Sequence, residues 1–254
     1  MRKLILPLLA ICCVLSSCSP FYYLSNNSNI PLLKEKEEAQ VSGFVGSAAD
    51  FGFMGLNSAY ALTRNTGLMF NASVFVGEEI LPEENVSPSA ADNKNYNPAN
   101  RSLMGELGYG YFLPFGSDST FVFETYVGYG LYSNNRALDE TRSISYLIHR
   151  PFIQPSIGFR HKNFEAAFGI RFVKMSYFNR SPSDAFAIDE VAMSDFGLWH
   201  GAINIEPNFT VRVGGPTVKF QMQWVRSNEN LVFGSSPTLF YSSGNANFGI
   251  QLRF

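Results

Sequence analysis

The chain has 254 residues, a length compatible with one domain. Its formal net charge is −2 and becomes −4 if Arg2 and Lys3 are removed, so no basic surface argues for nucleic-acid binding. The composition, with 24 Phe, 12 Tyr, 21 Gly and 16% charged residues, is rich in aromatic residues and glycine for a soluble domain.

The first predicted element is a secretory signal. Arg2 and Lys3 precede an apolar run from Leu4 to Leu15 that is short for a membrane-spanning helix. The sequence Leu15-Ser16-Ser17-Cys18 follows directly and resembles the lipobox of bacterial lipoproteins. That resemblance implies a signal over 1–17 and a palmitoylated Cys18 at the start of the mature chain, with the lipoprotein-processing machinery as a partner. The alternative is an ordinary signal cleaved elsewhere.

Cysteine usage agrees with this interpretation. All three cysteines lie in the first 18 residues, so no disulfide framework or cysteine-based metal site is expected in the mature chain. Ser19 stands where an aspartate indicates inner-membrane retention in enterobacterial lipoproteins. By that resemblance the predicted destination is the outer membrane.

Residues 18–38 are predicted to be a lipidated periplasmic linker. The linker contains Asn29-Ile30-Pro31-Leu32-Leu33 followed by the charged run 34–38. This pattern resembles the N-x-P-L motif and charged run that precede the barrel in small lipoprotein β-barrels of Bacteroidota outer membranes. The resemblance assigns no activity to any residue. Because no acidic cluster directly follows Cys18, the export signal of that phylum is absent, and the lipid is expected to stay on the periplasmic side.

The remaining residues, 39–254, alternate between apolar and polar side chains with the period of a strand. No apolar run after the signal approaches the roughly 20 residues that a spanning helix needs, and only helices and closed barrels satisfy their backbone within lipid. We therefore predict an all-β, transmembrane, antiparallel up-and-down β-barrel of about ten strands. The predicted strands are 40–48, 52–62, 66–77, 102–114, 119–132, 144–160, 164–177, 198–213, 217–226 and 239–254.

Two features leave eight or twelve strands open. The first two strands alternate poorly, and Pro151, Pro155 and Pro207 fall inside predicted strands, where each removes a ladder hydrogen bond. Bulges would accommodate these prolines, or the sixth strand would begin later.

Connection lengths predict the orientation of the barrel. The even-numbered strands are followed by short links, and most odd-numbered strands by long ones, including 77–101. Short periplasmic turns and long extracellular loops are typical of outer-membrane barrels. The C-terminus and the lipidated N-terminus are then both expected on the periplasmic side.

The last strand matches the loose motif that the barrel-assembly machinery recognises. The motif has a polar residue, a glycine, an apolar residue and a terminal aromatic, here Asn247, Gly249, Leu252 and Phe254. We predict that Phe254 faces lipid and serves as part of this assembly signal.

The polar faces of the strands predict a network of charges in the lumen. Because unpaired buried charges are very costly, charges of both signs are expected to pair and fill a narrow barrel. A structural or surface-interaction protein with a plugged lumen is the favoured function, and a narrow channel or uptake porin is the alternative. The predicted network is Glu106, Glu124, Arg160, Glu165, Arg171, Glu206, Arg212, Lys219 and Arg253.

An enzyme that hydrolyses lipids or peptides is a further alternative. His200, with Asp189, Glu190 and Asp195 in the preceding loop, is the best acid–histidine candidate. Such rim histidines are usually solvated, so we expect no enzyme. No metal or cofactor is expected, because the acidic residues of the 77–101 loop lack calcium-ligand spacing. The expected partners are outer-membrane lipid and the two assembly machineries; a surface ligand stays unknown.

Overall fold

A computed structural model describes residues 24–48, 51–78, 99–137, 143–182, 203–227 and 244–254. These residues contain eleven β-strands and one short 3₁₀ turn at Ser117–Ser119. The strands are β1 (Ala39–Ala48), β2 (Phe51–Ala61), β3 (Thr66–Glu78), β4 (Ala99–Phe115), β5 (Phe121–Ala137), β6 (Ser143–Arg160), β7 (Phe164–Lys174), β8 (Ser176–Pro182), β9 (Ile203–Gly214), β10 (Val218–Val225) and β11 (Asn245–Arg253).

The strands close into an antiparallel ring in chain order. β7 and β8 pair with the two ends of β6, so together they occupy one place in the ring. β1 pairs with β11 from Gln40 opposite Arg253 to Ser47 opposite Ala246, which closes the ring. The described strands therefore form a barrel with ten places, which confirms the predicted ten-stranded up-and-down barrel.

The three prolines lie inside strands with no bulge at any of them. Pro151 and Pro155 pair with β5, and Pro207 pairs with β7, all in unbroken register. All three belong to the outward-facing set of their strands, which alternates with the buried set. The possibility that the sixth strand begins later is wrong, because β6 runs continuously from Ser143 through both of its prolines.

The barrel has two different rims. One rim carries the short links 62–65, 116–120, 161–163 and 215–217, and we call it the turn rim. Phe254 also lies there, where its carbonyl accepts the Ala39 N–H. The strand ends at the opposite rim connect to the short links 49–50 and 138–142 and to the long links 79–98, 183–202 and 226–244, so we call it the loop rim.

The outer face of the barrel is apolar around the ring. In β10 the buried and exposed residues alternate along the whole strand, with Phe220, Met222 and Trp224 on the exposed side. Leu107 is 66% exposed and Phe254 is 71% exposed, values that would be costly in water. Among the described residues, no helix has the length and apolar character to cross a membrane.

An aromatic row lies on the outer face at the turn rim. The rings of Phe115 and Phe121 are 5.7 Å apart, those of Phe121 and Phe159 are 5.6 Å apart, and those of Phe159 and Phe164 are 6.2 Å apart. Aromatic girdles of this kind mark the membrane interface of barrels. A closed antiparallel ring, an apolar exterior and a polar interior together make the architecture of an outer-membrane β-barrel.

Candidate functional site

Residues 24–33, which we call the lumen segment, run through the inside of the barrel. All of them are buried, and Ile30, Leu32 and Leu33 have no exposed surface. The segment is neither helix nor strand, so its backbone N–H and C=O groups need partners from elsewhere. Inward-facing side chains of the barrel provide those partners.

At the turn rim, charged side chains bind the backbone around Leu32. Arg253 donates from Nη1 to the Leu32 carbonyl at 3.2 Å and from Nη2 to the Pro31 carbonyl at 3.0 Å. Arg160 donates to the same Leu32 carbonyl at 2.8 Å. The Glu124 carboxylate accepts the Leu32 N–H at 2.8 Å, so both polar groups of Leu32 are satisfied.

Closer to the loop rim, Gln223, which is the cross-strand partner of Asn247, binds Ser28 in the manner of a neighbouring strand. Its Oε1 accepts the Ser28 N–H at 2.8 Å, and its Nε2 donates to the Ser28 carbonyl at 2.8 Å. Arg212, two residues from the turn-rim end of β9, donates to the Ile30 carbonyl at 2.7 Å. These contacts bind main-chain atoms, so the lumen is in chemical terms a peptide-binding site.

Near the loop rim, neutral carboxamides hold the beginning of the segment. Asn245 donates to the Ser25 carbonyl at 2.7 Å, and Asn247 donates to Oδ1 of Asn27 at 3.0 Å. Asn245 is the first residue of β11, whereas Arg253 is its last. The order of contacts along β11 therefore means that the segment runs from the loop rim at Leu24 to the turn rim at Leu33.

This path differs from the expected linker. Residues 18–38 are predicted from the sequence to lie outside the barrel, on the same side as the C-terminus. The described part, 24–33, lies inside the barrel instead, and Leu24 and Phe254 lie at opposite rims. The physical reason is that the inner wall presents hydrogen-bonding groups that its own side chains do not satisfy, and the segment's backbone satisfies some of them, such as Gln223 and Arg212.

A cluster of charges lies at the turn-rim end of the lumen. The Glu165 carboxylate is within 4 Å of four cationic groups, and the side chain is almost fully buried. The distances are 3.1 Å to Arg212, 3.2 Å to Lys219, 3.2 Å to Arg253 and 3.8 Å to Arg160. Glu38 adds a second carboxylate, 2.7 Å from both Arg160 and Arg253. The two carboxylates together compensate a group of cations that also bind the lumen segment.

A second cluster surrounds Glu106 in the middle of the lumen. Glu106 lies 2.7 Å from Arg150 and 3.0 Å from Arg171. Asn71 donates to Glu106 at 2.9 Å, and Asn26 of the lumen segment donates at 3.5 Å. Asn26 thus joins the segment to the charge network of the barrel wall.

All nine residues of the predicted charge network lie inside the barrel. Eight are buried, and Arg160 is partly exposed at the turn rim. Glu206 lies 3.6 Å from Arg150. The sequence analysis did not include Arg150 in the network, because Arg150 directly precedes Pro151, where the strand assignment was weak. Glu38 was missed because it fell in the predicted linker.

The inner wall near the loop rim carries a set of aromatic rings that the sequence reasoning also missed. The ring centroids of Phe44 and Phe53 are 6.1 Å apart, those of Phe53 and Phe75 are 5.3 Å apart, and those of Phe75 and Tyr132 are 6.2 Å apart. All four side chains are buried. Their positions in the alternating pattern place them on the inner face. They were not predicted there, because the inner face was expected to be polar.

The four residues of the predicted assembly signal divide between the two faces of β11. Asn247 points into the lumen toward Asn27, whereas Leu252 and Phe254 are exposed on the outer face. Gly249 lies where an added Cβ would approach the Phe44 backbone, so the site favours glycine. Recognition by an assembly machinery stays a prediction.

Several candidate residues lie outside the described residues. These are Cys18, His200, Asp189, Glu190 and Asp195, together with most of the 77–101 loop. His149 is described, and it contacts Tyr129 on the outer face of the barrel. Within the described ranges, no group of three or more His, Cys, Asp or Glu side chains is arranged to hold a metal ion.

Comparison with known proteins gives distant structural similarities only. No protein-family model and no curated protein matches the chain. The chain is similar to the outer membrane protease OmpT from Escherichia coli, with 8% identity, a TM-score of 0.44 and coverage of 86% of this chain and 94% of that one. It is also similar to the translocator domain of the autotransporter NalP from Neisseria meningitidis, with 10% identity, a TM-score of 0.42 and coverage of 85% and 87%. These low TM-scores and identities give no information on functional residues or activity. The fold assignment is based on the strand pairing of this chain.

Proposed function

We propose that the protein is a lipid-anchored outer-membrane β-barrel with a structural or surface-interaction role and a lumen closed by its own N-terminal segment. The observation that carries this proposal is the lumen segment itself, which is buried throughout and hydrogen-bonded to the wall from rim to rim. A channel needs a continuous aqueous path, and this segment occupies the lumen along its length. The charge network then serves to hold the segment rather than to select ions.

The membrane location follows from the outer surface. An apolar band with an aromatic row at the turn rim fits lipid and its interface. Short turns at one rim and long links at the other support the turn rim facing the periplasm and the loop rim facing the cell surface. A surface partner would then meet the long loops.

The lipid anchor and the assembly signal are part of the same proposal. Cys18 follows a lipobox-like sequence, so its thiol is the proposed acylation site. The terminal motif ending in Phe254 is the proposed handle for the barrel-assembly machinery. Both assign the protein to machineries that handle outer-membrane proteins, and neither implies catalysis.

Conductance in a planar lipid bilayer tests the closed lumen. The purified full-length protein is expected to show no steady channels. A variant lacking residues 24–33 is expected to conduct, because the deletion removes the occupant and leaves all eleven strands. A matched control replaces 24–33 with ten Gly and Ser residues, which keeps the chain length and removes the side chains that contact the wall.

Steady, cation-selective channels from the full-length protein would overturn the proposal and make the lumen carboxylates a selectivity lining. A folded deletion variant that stays silent would mean that wall side chains, and not the segment, close the lumen. Heat-modifiable mobility on gels reports whether each variant is folded.

A further inference from the structure

A group of polar side chains interrupts the apolar outer face of the barrel near the loop rim. Its members are Tyr129, His149, Lys174 and Ser176, and we call them the polar patch. The Tyr129 hydroxyl is hydrogen-bonded to Nδ1 of His149, and Ser176 is the direct cross-strand partner of His149. Lys174 is exposed and lies two residues before Ser176, so it is a diagonal neighbour of His149 on the same face.

The side chains around the polar patch are apolar. Leu131 pairs with His149 from the side of β5, and Leu147 pairs with Phe178 one step closer to the loop rim. The exposed fractions of Leu131 and Phe178 are 43% and 46%, as expected for side chains that face lipid. A cationic side chain on a lipid-facing surface is costly unless it reaches a polar partner at the interface. Lys174 therefore indicates a binding site.

The polar patch lies at the level of one membrane interface. Ten residue steps separate Phe164 from Lys174 in β7, which is roughly 25 Å along the barrel axis for a strand that rises about 3.3 Å per residue and is tilted by about 40°. Phe164 belongs to the aromatic row at the turn rim, and the apolar band of such a barrel is about 25 Å tall. Lys174 is then at the opposite edge of the band, at the level of the lipid headgroups.

An apolar groove begins beside the polar patch. It has a volume of about 1080 Å³ and crosses the outer face from β6 to β1. Tyr129 and Pro151 line the groove next to the patch, and Tyr60 lines its other end. Pro151 is nine residues from the turn-rim end of β6, whereas Tyr60 is one residue from the turn-rim end of β2. The groove thus descends from the patch toward the turn rim.

We propose that the polar patch and this groove together bind one lipid of the leaflet on the loop side, an acyl lipid with an anionic phosphate headgroup. Lys174 supplies a positive charge, and the Ser176 hydroxyl donates a hydrogen bond to a phosphate oxygen. When the Tyr129 hydroxyl donates to Nδ1 of His149, the ring proton is on Nε2, which is a further donor. An acyl chain of the same lipid follows the groove into the membrane.

The juxtaposition of the two halves favours a lipid over other ligands. The groove faces the bilayer along its length, because its lining side chains, such as Leu107 and Val127, are 66% and 52% exposed on the outer face. A soluble anion would use the polar patch and leave the groove without a role. This inference goes beyond the proposed function and rests on it for the membrane location of the outer face.

Binding of a fluorescent phosphatidic acid to the purified full-length protein in detergent micelles tests the proposal. We expect saturable binding that unlabelled phosphatidic acid displaces. Inorganic phosphate, and diacylglycerol with the same acyl chains, should not displace the probe, because each supplies only one half of the ligand. Displacement by inorganic phosphate would indicate a simple anion site and would overturn the proposal. Equally good displacement by diacylglycerol would overturn the assigned role of the phosphate.

Two matched pairs of variants locate the site. Lys174→Gln should weaken binding about tenfold, because a charge-assisted hydrogen bond is lost, and Lys162→Gln, in an exposed turn, should not change it. Val127→Trp places a large ring in the groove and should also weaken binding. Val213→Trp, at a similarly exposed position of β9 outside the groove, is its control and should have no effect.

The outcomes separate this inference from the proposed function. Equal effects within either pair of variants would overturn the inference, because the probe would then bind the outer face without preference. Heat-modifiable mobility on gels reports whether each variant is folded. Insertion into phosphatidylcholine liposomes is measured in parallel. A protein that inserts and does not bind phosphatidic acid would overturn this inference alone, whereas a folded protein that fails to insert would contradict the proposed membrane location.

Discussion

The two ends of the lumen hold the same segment by different chemistry. At the turn rim, the guanidinium groups of Arg160, Arg212 and Arg253 bind backbone carbonyls while Glu165 balances their charge. At the loop rim, Asn245 and Asn247 bind with neutral amides. Hydrogen bonds to charged groups contribute about 1.5–3 kcal/mol each, and neutral ones about 0.5–1.5 kcal/mol.

The difference means that the segment is anchored at one end and held more weakly at the other. The turn-rim end joins directly to β1, so the strongest contacts lie where the chain is also covalently tied. At the loop-rim end the contacts are weaker, and weaker contacts permit local opening. Any exposure of the lumen should therefore begin at the loop rim.

The largest expected effect comes from removing the charge balance at the turn rim. Glu165→Gln removes the carboxylate that pairs with Arg212 and Lys219 and one of the two that pair with Arg253, and breaking a buried ion pair in this way costs about 3–5 kcal/mol. Urea unfolding in detergent micelles, followed by tryptophan fluorescence, measures the loss of stability. Glu37→Gln, at an exposed residue of the link, is the control and should change little.

A smaller effect is expected at the loop rim. Asn245→Ala removes the donor to Ser25 and the acceptor of the Asn247 amide, and it should cost about 0.5–1.5 kcal/mol for each of these neutral hydrogen bonds. Hydrogen exchange is expected to become faster at the amides of residues 25–27, while the Leu32 amide stays protected by Glu124. An equal increase in the exchange rates of residues 25–27 and of Leu32 would contradict stronger binding at the turn rim than at the loop rim.

The smallest expected effect is a pH dependence at the turn rim. Burial by itself raises the pKa of Glu38, but Arg160 and Arg253 outweigh it and hold the pKa of this carboxyl below its ordinary value of 4.5. A group with a lowered pKa in the folded state stabilises the fold above its unfolded pKa, and this contribution is lost as the pH falls through the folded value.

Glu38→Gln should therefore lower stability near neutral pH and lose less stability on acidification than the wild type does. Unfolding midpoints measured from pH 7 to below pH 4 give this difference. Parallel curves for the two proteins would mean that the Glu38 carboxylate does not contribute.

The wall of the barrel was predictable from the sequence, and the path of residues 24–33 was not. Alternation in segments such as 203–213 and 218–225 assigns every side chain to a face, because a strand has a fixed period of two. The lumen segment has no period, since its hydrogen-bond partners come from eight different strands. Its asparagines and serines are equally typical of a solvated linker.

Glycines on the inner face of the strands could nevertheless have indicated that another segment lies in the lumen. Gly158 and Gly169 lie on inner faces, where a Cβ would approach Leu32 and Ile30 at 2.5 Å and 3.1 Å. Small residues on the inner wall of a ten-stranded barrel leave space that wall side chains do not fill. The charged residues Glu38 and Arg150 were hidden for local reasons, the first by its place in a linker and the second by its neighbour Pro151.

The seam between β1 and β11 gives the protein an unusual mechanical character. Eight residue pairs close the ring at this seam, and the chain that precedes β1 passes through the ring it helps to close. Residues 24–33 thus lie inside a ring that is closed by the strand following them in the chain. Under a pulling force directed toward the loop rim, the amide contacts at Asn245 and Asn247 would break before the eight-pair seam unzips.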